Sequence, residues 1–289
     1  MAFYYSVLEL EKSIVLANFR DNHMDTLVMK FGGAAVATPE HFSRIADIII
    51  ERYETCRRIV VVISAMGDTT NQLISLAKQV NPNPPTREYD MLVTVGERIS
   101  IALLAMALAL KNREAVSFTG SQSGIITCHK HTEARIVDVR PHRILPALQL
   151  GKIVIVAGFQ GVSRSNEITT LGRGGSDTTA VALGVALGAD KVEFFKDVPG
   201  IFNQDPKKDP SAKLFDKMSY EEALEITLNG AKVLHSRCIQ LARDNQILLH
   251  VRSFKAGEAI EGTLIGEPAC RAQVLCPRYE EESELLVCV

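Results

Sequence analysis

Short, continuous apolar runs recur along the chain, and most of them end in glycine or small polar residues. The runs are rich in β-branched side chains and do not alternate with polar positions, which is typical of strands buried on both faces of a parallel sheet. They predict strands at residues 27–31, 58–63, 115–118, 152–156, 191–195 and 247–251.

Segments with helical periodicity lie between these runs. Phe42, Ile45 and Ile49 fall on one face of a helix predicted over residues 39–52. Further helices are predicted over residues 89–111, 178–187 and 231–245. This alternation of strand and helix predicts an α/β fold with a mostly parallel central sheet flanked by helices.

The composition excludes several classes of protein. The 289 residues include 32 basic and 34 acidic side chains, so no strong global charge favours nucleic acid or an anionic membrane surface as a partner. No apolar run reaches the roughly 18 residues that span a bilayer, and the N-terminus lacks the pattern of a signal peptide. The six cysteines form no CxxC pair. We therefore predict a cytoplasmic protein without a metal site of its own.

The candidate chemistry lies in the loops after the strands, because ligands of such sheets bind beyond the carboxyl ends of the strands. The loop 172–177 is rich in glycine and opens directly into a helix, so it is the best candidate anion site. Lys30 ends an apolar strand, where lysine is rarely placed for packing. It is either a cation aimed at phosphate or a lysine that extends to solvent at the sheet edge.

In their order along the chain, these loops resemble the aspartate kinases of the amino-acid kinase family. The resemblance runs from about residue 27 to residue 266, and no P-loop motif competes with it. It rests on KFGG at 30–33, SAMG at 64–67 with Thr70 and Asn71, VGER at 95–98, TGSQ at 119–122, TTLGRGGSD at 169–177, DVPGIF at 197–202, and the blocks at 218–223 and 230–235.

The resemblance implies a three-layer α/β/α amino-acid kinase fold and a reaction. The γ-phosphoryl group of ATP, bound with Mg²⁺, would pass to the side-chain carboxylate of L-aspartate and give 4-phospho-L-aspartate. In the family this reaction begins the synthesis of lysine, threonine and methionine. A carboxylate is already nucleophilic, so catalysis needs positioning and cationic charge more than a strong base.

The resemblance also assigns residues to roles. Lys30 and Asp177 are the predicted catalytic residues. The predicted substrate-binding residues are Ser64, Thr70, Glu97, Phe159, Arg173 and Ser176. The predicted nucleotide-binding residues are Lys30, Phe31, Gly32, Gly33, Lys196, Asp197, Phe202 and Lys232.

Several of these residues also have structural interpretations. Arg173 suits the α-carboxylate of aspartate because its guanidinium makes two-pronged contacts, but it equally suits a local carbonyl. Glu97 suits the α-ammonium group, or it forms a structural pair with Arg98. Asp177 orients Lys30, helps to hold Mg²⁺, or only stabilises the start of the next helix. Lys196 and Lys232 lie near the nucleotide or point to solvent.

The domain organisation and three functional hypotheses follow. We expect an N-terminal extension at 1–26, a catalytic domain at 27–266 and a C-terminal tail at 267–289, without the C-terminal ACT regulatory modules of most aspartate kinases. A homodimer or a separate regulatory subunit fits this organisation. Ala34 and Ala35 replace two hydroxyl residues that the family usually carries. The hypotheses are an aspartate kinase of minimal length, another phosphotransferase of the same fold acting on glutamate, carbamate or a nucleoside monophosphate, and a kinase-fold subunit without turnover.

Overall fold

An eight-stranded sheet forms the centre of the molecule. The computed structural model describes residues 26–204, 206, 209, 211–231, 233–255, 261–267 and 277–280. The strand order in the sheet is β10-β12-β11-β9-β1-β2-β6-β3. The strands are β1 (Thr26–Phe31), β2 (Arg58–Ile63), β3 (Ala115–Phe118), β6 (Ile153–Ala157), β9 (Lys191–Lys196), β10 (Lys217–Met218), β11 (Leu248–Ser253) and β12 (Thr263–Ile265).

The six strands from β11 to β3 run parallel, as the continuous apolar runs predict, whereas β12 is antiparallel to β11. β1 lies in the middle of the sheet, where Lys30 pairs with Val62 of β2 and with Phe194 of β9. The carboxyl ends of β1, β2, β6 and β9 therefore open onto the same edge of the sheet. This edge is where the sequence predicts the functional site.

Helices cover both faces of this sheet, which confirms the predicted class. Phe42, Ile45 and Ile49 of α1 and Leu104 and Leu108 of α4 belong to the core of one face. Helices α6 and α8 contribute to the core of the other face. The helices are α1 (Pro39–Thr55), α2 (Thr69–Val80), α3 (Thr86–Val93), α4 (Val95–Leu110), α5 (Ile144–Gln149), α6 (Gly175–Leu187), α7 (Tyr220–Leu228) and α8 (Ser236–Asp244).

A second, four-stranded sheet was not predicted from the sequence. Its order is β5-β4-β7-β8, and its strands are β4 (Ile125–Thr127), β5 (Ile136–Val139), β7 (Gln160–Ser163) and β8 (Ile168–Thr170). These strands have only three or four residues each, too few for a periodic pattern to stand out from a loop. Strand β8 of this sheet leads into the glycine-rich loop 172–177, so the sheet supports the candidate site.

All four predicted helices differ from their predicted bounds, and for two of them a polar contact marks the new boundary. The single helix predicted over 89–111 is divided at Thr94, whose carbonyl accepts a hydrogen bond from Gln160 Nε2 at 3.1 Å. The helix predicted from residue 231 begins only at Ser236, because His235 is its N-cap and accepts a hydrogen bond from the backbone N–H of Arg237. In both cases a polar contact made by the folded chain moves the helix boundary.

One helical stretch, Thr86–Leu110, is long and apolar enough to cross a membrane by length and composition alone. Core helices of soluble proteins pass the same test, so this is weak evidence for a membrane span. Leu104 and Leu108 on its inner side are buried against the sheet, whereas Met106 and Leu110 are exposed.

A buried carboxylate holds several cations on the α1 face of the sheet. Glu193 of β9 has no exposed surface and lies 3.2 Å from Arg52 Nε and 2.8 Å from Lys191 Nζ. Arg252 and His250 of the neighbouring strand β11 lie slightly farther from the same carboxylate. Burial alone would raise the pKa of Glu193, but the contact with His250 and the charges of Lys191 and Arg52 hold it well below its usual range. Glu193 therefore balances positive charge from α1, β9 and β11.

Replacing this carboxylate is expected to destabilise the fold. Glu193→Gln keeps the shape but leaves buried cations uncompensated, so the free energy of unfolding should fall by about 3 kcal/mol. Glu114→Gln is the matched control, because Glu114 also pairs with a lysine but is mostly exposed, and its change should stay below about 1 kcal/mol. Denaturant unfolding measures both, and equal effects would contradict a charge-balancing role for Glu193.

Candidate active site

Two lysines share one buried carboxylate at the carboxyl edge of the central sheet. Lys30 Nζ at the end of β1 lies 2.5 Å from Asp177 Oδ1, and Lys196 Nζ at the end of β9 lies 3.1 Å from Asp177 Oδ2. Lys30 is 5% exposed and Asp177 is 6% exposed. Asp177 lies in the first turn of α6, where the helix dipole favours a negative charge. The group carries a net charge of +1 when all three are ionised.

Burial and charge act against each other in this group. Burial lowers the pKa of Lys30, and Lys196 lowers it further, while Asp177 partly offsets both. Burial raises the pKa of Asp177, but the ammonium groups of Lys196 and Lys30 outweigh that effect and hold the pKa at about 2. Asp177 is therefore an anion at neutral pH, and it keeps two cations at a place that solvent hardly reaches.

Tight backbone approaches shape the loops beside the lysines. A Cβ on Gly33 would lie 3.0 Å from the Ala65 carbonyl, and the N–H of Gly67 donates to the Gly33 carbonyl at 3.3 Å. A Cβ on Gly32 would lie 3.6 Å from Lys30 Nζ. The loops after β1 and β2 thus pack backbone against backbone, and the Lys30 ammonium group lies beside them.

Glu97 is a buried carboxylate with one oxygen unused. Its Oε1 accepts a hydrogen bond from the N–H of Ala65 at 3.1 Å. Its Oε2 is buried and has no hydrogen-bond partner within the part of the chain that the structure describes. Burial raises the pKa of Glu97 to about 7, and the nearby Lys30 only partly opposes this. A buried carboxylate with a free oxygen is suited to receive a cation.

The loop that carries Arg173 begins and ends at glycines in left-handed conformations. Gly172 and Gly174 have φ values of 72° and 73°, which side chains with a Cβ rarely adopt. Arg173 between them is exposed, and no hydrogen bond or ion pair of its guanidinium is found among the described residues. A Cβ on Gly174 would lie only 2.3 Å from the His235 side chain, so His235 supports the end of the loop.

Phe159 and Ser176 complete this side of the site. Phe159 also has a positive φ of 68°, and its N–H donates to Thr179 Oγ1 at 3.2 Å. A Cβ on Gly158 would lie 2.7 Å from Ser176, so the loop after β6 packs closely on the start of α6. The strained backbone at Phe159 is held by the first turns of the same helix that carries Asp177.

Among the remaining predicted residues, Ser64, Asp197 and Phe202 lie on neighbouring loops. Ser64 follows β2 and donates its N–H to the Phe31 carbonyl at 3.1 Å, while Thr70 lies half-buried in the first turn of α2. Asp197 follows Lys196 and is exposed, and Phe202 pairs with Leu214 in the loop beyond it. Lys232 lies outside the described residues. The roles assigned to these residues stay predictions.

The sequence reasoning missed a second buried carboxylate beside the site. Asp90 of α3 has no exposed surface and accepts hydrogen bonds from the N–H and the Oγ1 of Thr170, at 3.1 Å and 2.6 Å. It also contacts His131 Nδ1 at 2.8 Å. Asp90 thereby fixes the end of β8, two residues before the Gly172 turn. Asp90 directly follows the polar run Arg87, Glu88 and Tyr89, so the local sequence does not distinguish it from an exposed carboxylate.

The arrangement has the parts needed to transfer an anionic group. A buried lysine, a half-buried lysine and the start of a helix face one edge of the sheet. The Glu97 carboxylate in the first turn of α4 and the exposed Arg173 guanidinium lie around them. No group of three His, Cys, Asp or Glu side chains is placed to hold a metal ion within the described ranges.

Comparisons with known proteins show the family of the chain and the solved structures that it resembles. The model of the amino acid kinase family matches residues 25–253. The chain is 52% identical over 245 residues to an aspartokinase of Mycolicibacterium smegmatis, an alignment that covers 83% of this chain and 58% of that relative. The crystal structure of an aspartate kinase from Synechocystis matches with a TM-score of 0.76 and 42% identity, covering 86% of this chain and 41% of that one.

A second solved structure was determined with ligands. Aspartokinase III of E. coli, in complex with aspartate and ADP, matches with a TM-score of 0.76 and 28% identity, covering 85% of this chain and 65% of that one. The chain thus spans less than two thirds of the length of each of these three relatives.

The raised pKa of Glu97 predicts a pH-dependent stability. Because the folded protein favours neutral Glu97, the stability gained from the protonated form is present below the ordinary pKa of 4.5 and is lost as the pH rises through about 7. Between pH 5 and pH 8 the parent should lose about 2–3 kcal/mol relative to Glu97→Gln, at roughly 1.4 kcal/mol per pKa unit. Denaturant unfolding at both pH values measures this difference, and a constant difference would contradict the buried-acid description of Glu97.

Proposed function

The chain belongs to the amino acid kinase family, and from that premise we propose that it is an aspartate kinase. It transfers the γ-phosphoryl group of MgATP to the side-chain carboxylate of L-aspartate and releases ADP and 4-phospho-L-aspartate. The observation that carries the proposal is the buried group of Lys30, Asp177 and Lys196 beside the unsatisfied oxygen of Glu97. The two lysines suit a phosphate, and the Glu97 oxygen suits the ammonium group of an amino acid.

In this proposal the two lysines stabilise the group in transfer. One oxygen of the aspartate side chain forms a bond to the γ-phosphorus, and the bond from that phosphorus to the β,γ-bridging oxygen breaks. No proton has to move, because the attacking carboxylate is ionised at neutral pH. The negative charge on the transferring group and on the leaving oxygen is met by Lys30 and Lys196, which Asp177 holds in place.

The aspartate pocket uses charges of both signs. Glu97 Oε2 accepts a hydrogen bond from the α-ammonium group, and this contact keeps Glu97 ionised despite its burial. Arg173 binds the α-carboxylate through two parallel N–H donors. Ser64, Thr70, Phe159 and Ser176 form the walls between these two ends. The distance from these two charged residues to the γ-phosphoryl group then sets the preference for aspartate over longer amino acids.

The nucleotide is held by the loops after β1 and β9, and Mg²⁺ enters bound to it. The backbone at Phe31, Gly32 and Gly33 approaches the phosphates without a hindering Cβ. Lys196, Asp197, Phe202 and Lys232 are the further nucleotide contacts of the proposal. Mg²⁺ commonly keeps phosphate and water ligands and needs few from the protein, which suits a site whose one central carboxylate is engaged by two lysines.

We also propose residues 27–266 as the catalytic unit, with 1–26 as an extension and 267–289 as a C-terminal tail. The family match at 25–253 and the last strand of the sheet, which ends at Ile265, support these bounds. A cytoplasmic location and a homodimer or separate regulatory subunit remain predictions of the same proposal.

The test of the proposed function is to trap the acyl phosphate. Purified protein with MgATP and hydroxylamine should form aspartyl hydroxamate when aspartate is the acceptor, and far less product with glutamate. When carbamate or UMP replaces aspartate as the acceptor, no ADP should form. Preference for another acceptor would favour a different phosphotransferase of the family, and the absence of turnover with every acceptor would favour a subunit without activity.

Lys30→Ala tests the phosphate-binding role. Because the charge of Lys30 matters most in the transition state, kcat should fall by about 100-fold or more while the KM for aspartate changes little. Asp177 keeps Lys196 as a partner in this variant, so the fold should persist. Lys217→Ala removes an exposed lysine of β10 as the control. A folded Lys30→Ala protein with nearly normal kcat would contradict the assignment.

Arg173→Lys and Glu97→Gln test the substrate pocket. The lysine keeps the positive charge but loses the two-pronged contact, and the glutamine loses the charge opposite the ammonium group. Each should raise the KM for aspartate by about tenfold or more and leave the KM for ATP nearly unchanged. If steady-state kinetics show that both variants use aspartate as the parent does, the pocket lies elsewhere.

A further inference from the structure

The segment at residues 277–280 is anchored on the core close to the loop that carries Arg173. The N–H of Glu280 donates to the Ile136 carbonyl at 3.1 Å, and the Ile136 N–H donates to Glu280 Oε2 at 3.0 Å. Asn245 at the end of α8 exchanges two hydrogen bonds with the backbone of Arg278. Tyr279 packs against the core between these contacts. Four backbone and side-chain contacts therefore fix the position of the Glu280 carboxylate.

Glu280 in turn fixes the orientation of Arg237. Arg237 Nε lies 2.6 Å from Glu280 Oε1 and Arg237 Nη2 lies 2.8 Å from Glu280 Oε2, which is a two-pronged pair. The two side chains are only 13% and 10% exposed. Arg135 also reaches Glu280 Oε1, at 3.4 Å. A paired and largely buried guanidinium of this kind has one orientation rather than many.

Arg237 uses its remaining donors on the start of the Arg173 loop. Its Nη1 donates to the Leu171 carbonyl at 2.5 Å, and its Nη2 donates to the Ala134 carbonyl at 3.1 Å. Leu171 directly precedes Gly172, the first of the two left-handed glycines. Two residues before Arg237, His235 packs against Gly174 at the other end of the loop. The first turn of α8 thus supports both ends of the loop.

Within the loop, the Gly175 N–H donates to the Gly172 carbonyl at 3.0 Å, and the orientation of the loop on the protein depends on the external support. Glycines flank Arg173 on both sides, so the backbone has unusual freedom there. Arg173 itself is exposed and lies outside the core. A guanidinium at the tip of such a loop is pre-organised only if the loop ends are held.

We propose that Glu280 is a positioning residue, which acts through Arg237 and the Leu171 carbonyl to hold Arg173 where it binds the α-carboxylate of the substrate. The inference rests on the proposed function for the identity of that substrate. It extends the site beyond the matched family region, which ends at residue 253, to a carboxylate that never touches the ligand.

Steady-state kinetics of Glu280→Gln test the effect on the substrate. The variant keeps the shape of Glu280 and removes its charge, so the KM for aspartate should rise by about tenfold while kcat and the KM for ATP stay within about twofold. Asp244→Asn is the matched control, since Asp244 also pairs with an arginine of α8, but at an exposed place. Arg237→Lys keeps the positive charge but loses the two-pronged contact with Glu280, so it should raise the KM for aspartate by a similar factor.

A double variant separates positioning from general stabilisation. In an Arg173→Ala background, Glu280→Gln should raise the KM for aspartate no further, because the group that it positions is already gone. If the effect of Glu280→Gln persists in full in that background, or if the KM of the single variant equals that of the parent, the proposal is overturned.

Trypsin cleavage after Arg173 tests the loop without any substrate. Peptide mapping should show cleavage there at least about threefold faster in Glu280→Gln than in the parent or in Asp244→Asn, because the loop opens more often. Unchanged cleavage would overturn the proposal. If Glu280→Gln is cleaved faster but the parent does not phosphorylate aspartate, the loop-supporting role of Glu280 stands. That outcome contradicts the proposed function instead.

Discussion

The sharing of Asp177 by Lys30 and Lys196 is the interaction on which the rest of the site depends. A buried lysine is costly unless an anion compensates it, and the half-buried Lys196 beside Lys30 adds to this cost. Asp177 meets both because the adjacent parallel strands β1 and β9 end side by side and α6 begins above them. The placement of positive charge at the site therefore depends on both the strand order of the central sheet and the packing of α6.

The loops around this group follow from the same constraint. With its cations fixed at the sheet edge, the backbone has to approach closely, and glycines occur where a Cβ would collide, as at Gly33 and Gly158. Buried carboxylates then tie the surrounding elements to the edge: Glu97 bonds the loop after β2, and Asp90 bonds the end of β8. The Arg173 loop extends outward, and it is held from α8 and from Glu280.

Much of this could be predicted from local sequence. The buried strands appear as apolar runs, and Lys30 and Glu97 stand out as charged residues in apolar surroundings. Asp177 was predicted from the family resemblance. Other features depend on contacts between distant segments. The break at Thr94, the short strands of the second sheet and the pairing of Lys196 with Asp177 are decided by tertiary structure. Glu280 belongs to an acidic run that resembles a solvated tail, and only the fold brings it to Arg237.

The central claim is that Lys30 stabilises the phosphoryl group in transfer to aspartate rather than merely binding the nucleotide. The direct measurement is the affinity of MgADP with aluminium fluoride, a mimic of the transferring group, in the presence of aspartate. The account predicts that Lys30→Ala weakens this complex about 100-fold more than it weakens MgATP binding, and that glutamate does not replace aspartate in forming the complex. Equal weakening of both complexes, or a complex that forms without regard to aspartate, would contradict it.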